Sequence, residues 1–398
     1  MKKTIFLLAV IAGLNANAQS WNLTGNAGIN PASNFIGTTD IQPLVFKTNN
    51  VEWMKLNSKG RIIFQNIDGG LGWSTNLFFG GGNDITSGIG NTSFGIGSLV
   101  SITSGAANTA IGSNSLRTNI TGGQNTALGV NANMNSANAN ANVALGGNTL
   151  SGPGTTTQNT AVGFAALARY NSVAGDNVEN NTAIGFGALS GLNSGTGNTG
   201  LGKRALSAVS NGSNNIGVGI ESGNNIGAGS ENIVIGNNIN VLTSGGSNQL
   251  NIGNWIVGNN GTIGIGSFTT QLPADGVSPD GQKYKLFVKD GIRTERVKVD
   301  IAASNGWADY VFEKDYKLMS LNDLEKFINK NGHLPEVPTT KEAIENGIEL
   351  KEMNILLLKK IEETSLHLID QNKKMENQSE EIKLLKEEIN ILKAALKL

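Results

Sequence analysis

The 398-residue chain has no cysteine, which excludes disulfides, thiolate catalysis and cysteine-bound zinc. Two histidines, His333 and His367, are too few for a histidine metal cluster. Charged residues make up 15%, well below the usual ~25%, and aromatics only 6%. The formal net charge of −1 gives no electrostatic reason to expect nucleic acid or an anionic membrane as partner. Beyond residue 18 no apolar run is long enough to cross a bilayer as a helix.

What the chain has in excess is glycine, 53 residues against a usual share of ~7%. Glycine and asparagine crowd the middle and charge crowds the last quarter, so distinct architectures follow one another. At the start, Lys2 and Lys3 precede an apolar run from Ile5 to Leu14 and then Ala16-Asn17-Ala18. This order of a charged, an apolar and a cleavage region reads as a signal peptide over 1–18, with export of the remainder. The competing reading of the run is a buried strand or helix.

A five-residue motif, Asn-Thr-small-aliphatic-Gly, begins at Asn91, Asn108, Asn125, Asn142 and Asn159, always 17 residues apart. It returns at Asn181 after a five-residue insertion, then at Asn198 and Asn215, with degenerate copies at Asn225 and Asn232 and an echo at Asn251. A leucine often follows the glycine by four, as at Leu99, Leu116, Leu150, Leu167, Leu189 and Leu206. Fixed self-similarity predicts a solenoid. The motif is too rich in Gly and Asn for a helix. Three extended residues between Asn and Gly make a short strand, and stacked coils repeat at ~4.8 Å. Stacked asparagines are expected to pair their amides from coil to coil.

The two faces of the strand differ. Thr109 and Ile111, Thr126 and Leu128, Val143 and Leu145 share one face, where threonine exchanges with valine and isoleucine, and this face is expected to look into the coil. The opposite column, Ala110, Ala127, Ala144, Ala161, Ala183, Gly200 and Gly217, is uniformly small. It is expected to press against a neighbouring chain as a subunit interface. The competing explanation is that small residues merely accompany tight coiling.

The Asn-Thr-Ala-Ile-Gly copies followed by Ala-Leu, as over 181–189, resemble the head repeats of trimeric autotransporter adhesins and related bacterial and tail-fibre proteins. The resemblance covers roughly residues 85–255. It implies a left-handed parallel β-roll, three chains side by side, and binding to an extracellular surface, glycan or matrix. The 17-residue spacing is longer than in the best-known heads, and the last segment reads as a coiled coil in place of a membrane barrel.

Residues 19–84 are predicted to form a β cap, with a hairpin about Asn57-Ser58-Lys59-Gly60. The solenoid spans 85–266. A junction over 267–306 is predicted to contain a hairpin, Lys283 to Lys289 and Ile292 to Asp300, turning at Asp290-Gly291. Residues 307–348 read as a small α/β connector, with Ser320 and Asp323 opening a helix and a second helix from Thr340. From 349 to 398 apolar residues recur as heptads, Ile361, Leu368, Met375, Ile382, Ile389 and Leu396, with a second seam at Leu385 and Leu392. This is a coiled-coil pattern with a polar middle. Isoleucine on one seam and leucine on the other favour two strands, whereas the resemblance implies three. A single helix folded back on the head is the alternative.

Candidate chemistry is sparse. Gly197 to Lys203 has phosphate-loop spacing, but Arg204 stands where Ser or Thr would hold magnesium. Repeats carrying Asn in place of Asp are unsuited to regular calcium binding. The stretch from Thr294 to Lys298 has no serine for Ser-Lys self-cleavage. The insertion, with Arg169, Tyr170, Asp176 and Glu179, is the candidate ligand-contact loop, because loops on a regular scaffold carry binding.

The expectation is therefore a mainly β protein, a parallel solenoid with β caps, a small α/β connector and a C-terminal coiled coil. It is expected to act outside the cell or at its surface as a homotrimeric adhesive or display fibre, without catalytic residues, metal or cofactor. The alternatives are a polysaccharide-binding or -degrading fibre, through Asp176 and Glu179, and an ice- or crystal-binding solenoid.

Overall fold

The computed structural model describes residues 25, 27–64, 76–83, 86–169, 176–268, 272, 283–300 and 307–396. The expected signal peptide and Tyr170 lie outside these. The chain divides into two compact units, Met1–Gly291 and Ile292–Leu398.

The first unit opens with an antiparallel sheet of β1 (Leu44–Thr48), β2 (Val51–Leu56) and β3 (Ile62–Phe64). The expected turn at Asn57 joins the last two. The Asn57 side-chain oxygen accepts the amides of Lys59 and Arg61 at 3.0 Å, and Gly60 takes φ +73°. Phe64 meets Phe79 edge-on at 5.7 Å, which ties β3 to the strand Leu77–Phe79.

That strand begins a 14-stranded sheet. From Leu77–Phe79 to Gln249–Ile252 its strands are parallel, so the repeat forms a β-solenoid of about ten turns. Equivalent positions pair: Ala110 with Ala127, Ala127 with Ala144, Ala144 with Ala161. The motif glycine ends each strand for two reasons. Gly112 has φ +118°, and a Cβ there would lie 2.6 Å from the Gly129 carbonyl oxygen one coil on. The five-residue insertion leaves the ladder intact, since Thr160 pairs with Thr182.

Buried asparagines run along the stack as expected. Asn142 donates through Nδ2 to Asn125 Oδ1 (3.0 Å) and to the Thr156 carbonyl (2.7 Å). Its own Oδ1 accepts the amide of Asn159 (3.0 Å) and that residue's Nδ2 (3.1 Å). Each side chain thus satisfies backbone groups that the coil would otherwise bury unpaired. The ladder starts at Asn76 and ends at Gln249, whose amide donates to Asn232 Oδ1. Asn225 and Asn251 are out of register: Asn225 lies in a turn, and Asn251 pairs beside Val234.

The two faces are the reverse of the expectation. Ala110, Ala127, Ala144, Ala161 and Ala183 are fully buried within a single chain, and Gly200 and Gly217 are buried with them. They point into the coil, so this column cannot contact a second chain. Tight coiling explains its smallness. The interior is shared with the leucine column, and a Cβ on Gly217 would come within 2.6 Å of Leu206 Cγ. Those leucines are fully buried in left-handed backbone, Leu189 at φ +53° and Leu206 at φ +55°. Such geometry costs roughly 1–2 kcal/mol per residue. Burial of the side chain, worth about 1.5–3 kcal/mol, offsets it. So does a bond to the next coil, as from the Leu189 amide to the Ala205 carbonyl (2.9 Å).

At its end the sheet changes direction. Gln249–Ile252, Ile256–Asn259 and Thr262–Ile265 form an antiparallel meander. Leu286–Val288 then adds parallel to Thr262–Ile265. The hairpin expected about Asp290-Gly291 is not formed. The first of its strands is already bound to the sheet, with the Ile263 amide on the Lys285 carbonyl (2.9 Å) and the Lys289 amide on the Ile265 carbonyl (3.0 Å). Residues 292–300 carry no strand.

In the second unit a 3₁₀ turn, Ala308–Phe312, precedes α1 (Leu321–Asn331), α2 (Thr340–Asn346) and α3 (Leu350–Ala395). Ser320 caps α1 by accepting the Asp323 amide at 3.2 Å, and Gly332 closes it in left-handed geometry. Thr339 and Glu342 form a reciprocal capping box on α2. Gly347 follows, and α3 begins three residues later.

Candidate functional site: two uncovered apolar surfaces

With alanine and glycine inward, the solenoid turns its larger residues outward. Phe94, Leu128 and Leu201 are exposed by 60, 49 and 44%. Beside them runs the threonine column, in which Thr109 pairs with Thr126 and Thr182 with Thr199. The position after the motif glycine adds Ile96, Val130, Phe164, Phe186 and Ile220, all exposed. Phe164 and Phe186 stack at 5.7 Å from one coil to the next. Pleating makes this inevitable: residues flanking an inward alanine must both point outward. A contiguous apolar strip of this kind is the usual mark of an interaction site. Beside it an ion pair joins neighbouring coils, Arg204 to Glu221 at 3.5 Å, which is exposed and worth little.

The flank of the solenoid is polar. Asn114 Nδ2 donates to Asn131 Oδ1 at 3.2 Å, and Asn131 Nδ2 to Asn148 Oδ1 at 3.0 Å. All three asparagines adopt φ between +55° and +59°, a conformation asparagine tolerates. Seven residues further along the coil, the Thr121 hydroxyl donates to Asn138 Oδ1 at 2.8 Å.

Residues 170–175 of the insertion lie outside the described residues, and the residues on either side of them differ in exposure. Arg169 is fully buried and donates through Nη2 to the carbonyls of Asp176 (3.2 Å) and Asn193 (3.4 Å). Burial lowers its pKa to about 10, offset in part by the Asp176 charge, so it remains a cation at neutral pH. Arg169 therefore acts as a strut inside the longest coil. Asp176 is half-buried, and Glu179 is exposed on the strand Asn177–Glu179. That strand joins Thr155–Thr157 and Gly195–Thr196 in a small second parallel sheet. The structure thus brings Arg169 and Asp176 together and leaves Glu179 on the outer surface. The phosphate-loop-like Gly197 to Lys203 runs through an ordinary coil, with Thr199–Leu201 as its strand.

In the second unit the connector covers one face of α3. Ala308 and Val311 of the 3₁₀ turn are buried. The Tyr316 hydroxyl donates to the Glu363 carboxylate, Lys359 binds Glu336 at 2.6 Å, and Lys360 binds Glu363 at 2.9 Å. Lys359 also lies 5.8 Å from the centre of the Tyr310 ring. Burial, then the hydrogen bond to Glu363 and its charge, push the Tyr316 hydroxyl far above the usual phenol range. Burial would raise Glu363, but the hydrogen bonds from Tyr316 and Lys360 outweigh it and hold its carboxyl below the ordinary value. Nothing in the local sequence announced this cluster, because Tyr316 and Glu363 lie 47 residues apart. The available sign was the surplus of apolar residues at the start of α3, Ile355, Leu356 and Leu366, which the heptads leave unused.

The heptad seam lies on roughly the opposite side of α3, at 100° per residue. Glu362 on the covered side is 8% exposed, whereas Ile361 and Leu368 are 63 and 61% exposed. Met375, Ile382, Leu385, Ile389, Leu392 and Leu396 are likewise exposed. Among the described residues no helix is long and apolar enough to cross a membrane, and no cluster of acidic or histidine side chains is placed to hold a metal ion. No protein-family model, curated protein or solved structure matches the chain.

Proposed function

We propose that the chain is an exported fibre protein that assembles as a homotrimer and acts by adhesion or display at a cell surface, glycan or matrix. The observation that carries this reading is the uncovered outward strip of the solenoid. Among the described residues the alanine and leucine columns fill the coil interior without it, so its apolar residues are not needed to close a coil. Water exposure of such a strip costs free energy that contact with another surface recovers. The polar flank, with its amide and hydroxyl ladders, is the surface left for a ligand. The sheet of β1 to β3 serves as the N-terminal cap. Sedimentation of residues 19–398 tests the assembly. A trimer is expected, and a monomer at micromolar concentration overturns the reading. Binding of the assembled protein to glycan and matrix arrays then tests adhesion.

A second reading gains support from the outward threonine column. Thr92, Thr109, Thr126, Thr160, Thr182 and Thr199 form a regular array that fits a crystalline surface such as ice. Val143, Ile216 and Ile233 interrupt it. Thermal hysteresis beyond that of an unrelated protein at equal concentration is the outcome this reading requires.

A further inference from the structure

The last heptads of α3 say which way a second copy must lie. Ile382 and Ile389 occupy one seam position and Leu385 and Leu392 the other, all exposed. Upstream, Thr364, Gln371 and Gln378 occupy the second position, so the apolar zipper is concentrated near the end of the helix. Charges flank this zipper in a fixed order. Glu381 and Glu388 precede the seam on one side, and Lys386 and Lys393 follow it on the other. Among the described residues none of the four makes an ion pair within its own chain.

In a parallel, in-register pair of helices, each leading flank residue faces the trailing flank residue five positions on in the other copy. Glu381 then meets Lys386 of the second copy, and Glu388 meets Lys393 of the second copy. In an antiparallel pair like flanks meet, which sets glutamate against glutamate and lysine against lysine. The connector does not obstruct either arrangement, because it covers the other side of α3 at residues 355–366.

We infer that residues 375–396 form a parallel, in-register zipper between copies of this chain, with direction and register set by the Glu381–Lys386 and Glu388–Lys393 pairs. The inference rests on the self-association proposed above and adds its geometry. All copies then leave the zipper at the same end, which is the arrangement that lets their solenoids lie side by side.

The absence of cysteine makes the test clean. Met375→Cys and Ile389→Cys are introduced separately into the chain and oxidised gently. Parallel register predicts a reducible crosslink between copies in both variants, whereas an antiparallel pair can align at most one of the two positions. A second arm keeps Ile389→Cys and adds either Glu381→Lys with Glu388→Lys, or Lys386→Glu with Lys393→Glu. Each charge variant alone is expected to lose crosslink yield about tenfold, and an equimolar mixture to regain most of it, because at least two of the three flank contacts in a mixed trimer are then matched. These four side chains are on the helix surface, so the folded head and helix content are expected to be unchanged by circular dichroism. Oligomers that crosslink at only one position, or that ignore the charge swaps, overturn the direction and register while leaving the fibre reading intact. A monomer in sedimentation overturns both.

Discussion

The solenoid and α3 present opposite problems to a single chain. In the solenoid the described coils build an interior from within one chain: a buried asparagine ladder, a column of small inward residues and, in most coils, a left-handed leucine, and what is left over is an apolar strip outside. In α3 the helix has almost no interior of its own. Its docked side is built by a distant connector, and its heptad side is left open. The lesson is that repetition specifies an inside, while periodicity along a helix specifies only a face, and both leave a surface for something else.

The comparison breaks most readily at the coil interior. Leu189→Ala removes a fully buried side chain whose left-handed backbone persists, and it should destabilise the head by about 3 kcal/mol. Denaturant unfolding followed by circular dichroism measures this, and a loss below about 1 kcal/mol would show that the leucine column does not hold the coils. Asn142→Ala follows closely, at about 2–3 kcal/mol, because it strands the buried Asn159 amide and removes a donor from Asn125 Oδ1 and from the Thr156 carbonyl, which keeps the Asn140 amide. Asn142→Asp tests the same point. It keeps the acceptor and loses the donors, so it should not restore stability.

Docking of the connector on α3 is a smaller effect. Tyr316→Phe removes the hydroxyl bound to Glu363 and should cost about 1–2 kcal/mol, read as faster hydrogen exchange over 308–318. Its pH dependence has a definite sign. Glu363 is held below its ordinary value near 4.5, so its contribution is complete above that pH and is lost as pH falls through the lowered value. Lys359 runs the other way. Burial lowers its pKa, but Glu336 more than compensates and raises it, so its contribution is present below about 10.5 and lost at higher pH. Docking should therefore weaken at both extremes and hold steady between them.

The smallest effect on folding belongs to the outer strip. Leu128→Lys should change stability by about 0.5 kcal/mol or less, since Leu128 is half exposed and outside the coil interior. The same substitution should disrupt assembly in sedimentation. Ala144→Lys should do the reverse and prevent the head from folding, because no room exists beside a fully buried alanine. A matching effect of the two variants would erase the distinction between the faces.

Much of the architecture was legible in the chain. The 17-residue spacing led to parallel coils, the motif glycine to the strand ends, and the asparagines to a buried ladder. Ser320 and Thr339 marked two helix starts. The strand faces were misassigned because exchange among Thr, Val and Ile looks like burial, while uniform smallness looks like an interface. Both are equally produced by a coil too thin to hold anything larger opposite Leu189 or Leu206. Arg169 reads as an exposed loop residue because arginine is rarely buried, yet the carbonyls of Asp176 and Asn193 give it partners inside. Asp290-Gly291 reads as a hairpin turn, but residues 292–300 after it form no strand.

Local order in this protein was determined by sequence alone, since spacing, glycine positions and capping residues act between near neighbours. Which side of each strand is inside, where Arg169 points, and which face of α3 is covered were decided by tertiary structure. Those choices depend on the volume enclosed when residues far apart in the chain close on one another, and no local pattern carries that volume.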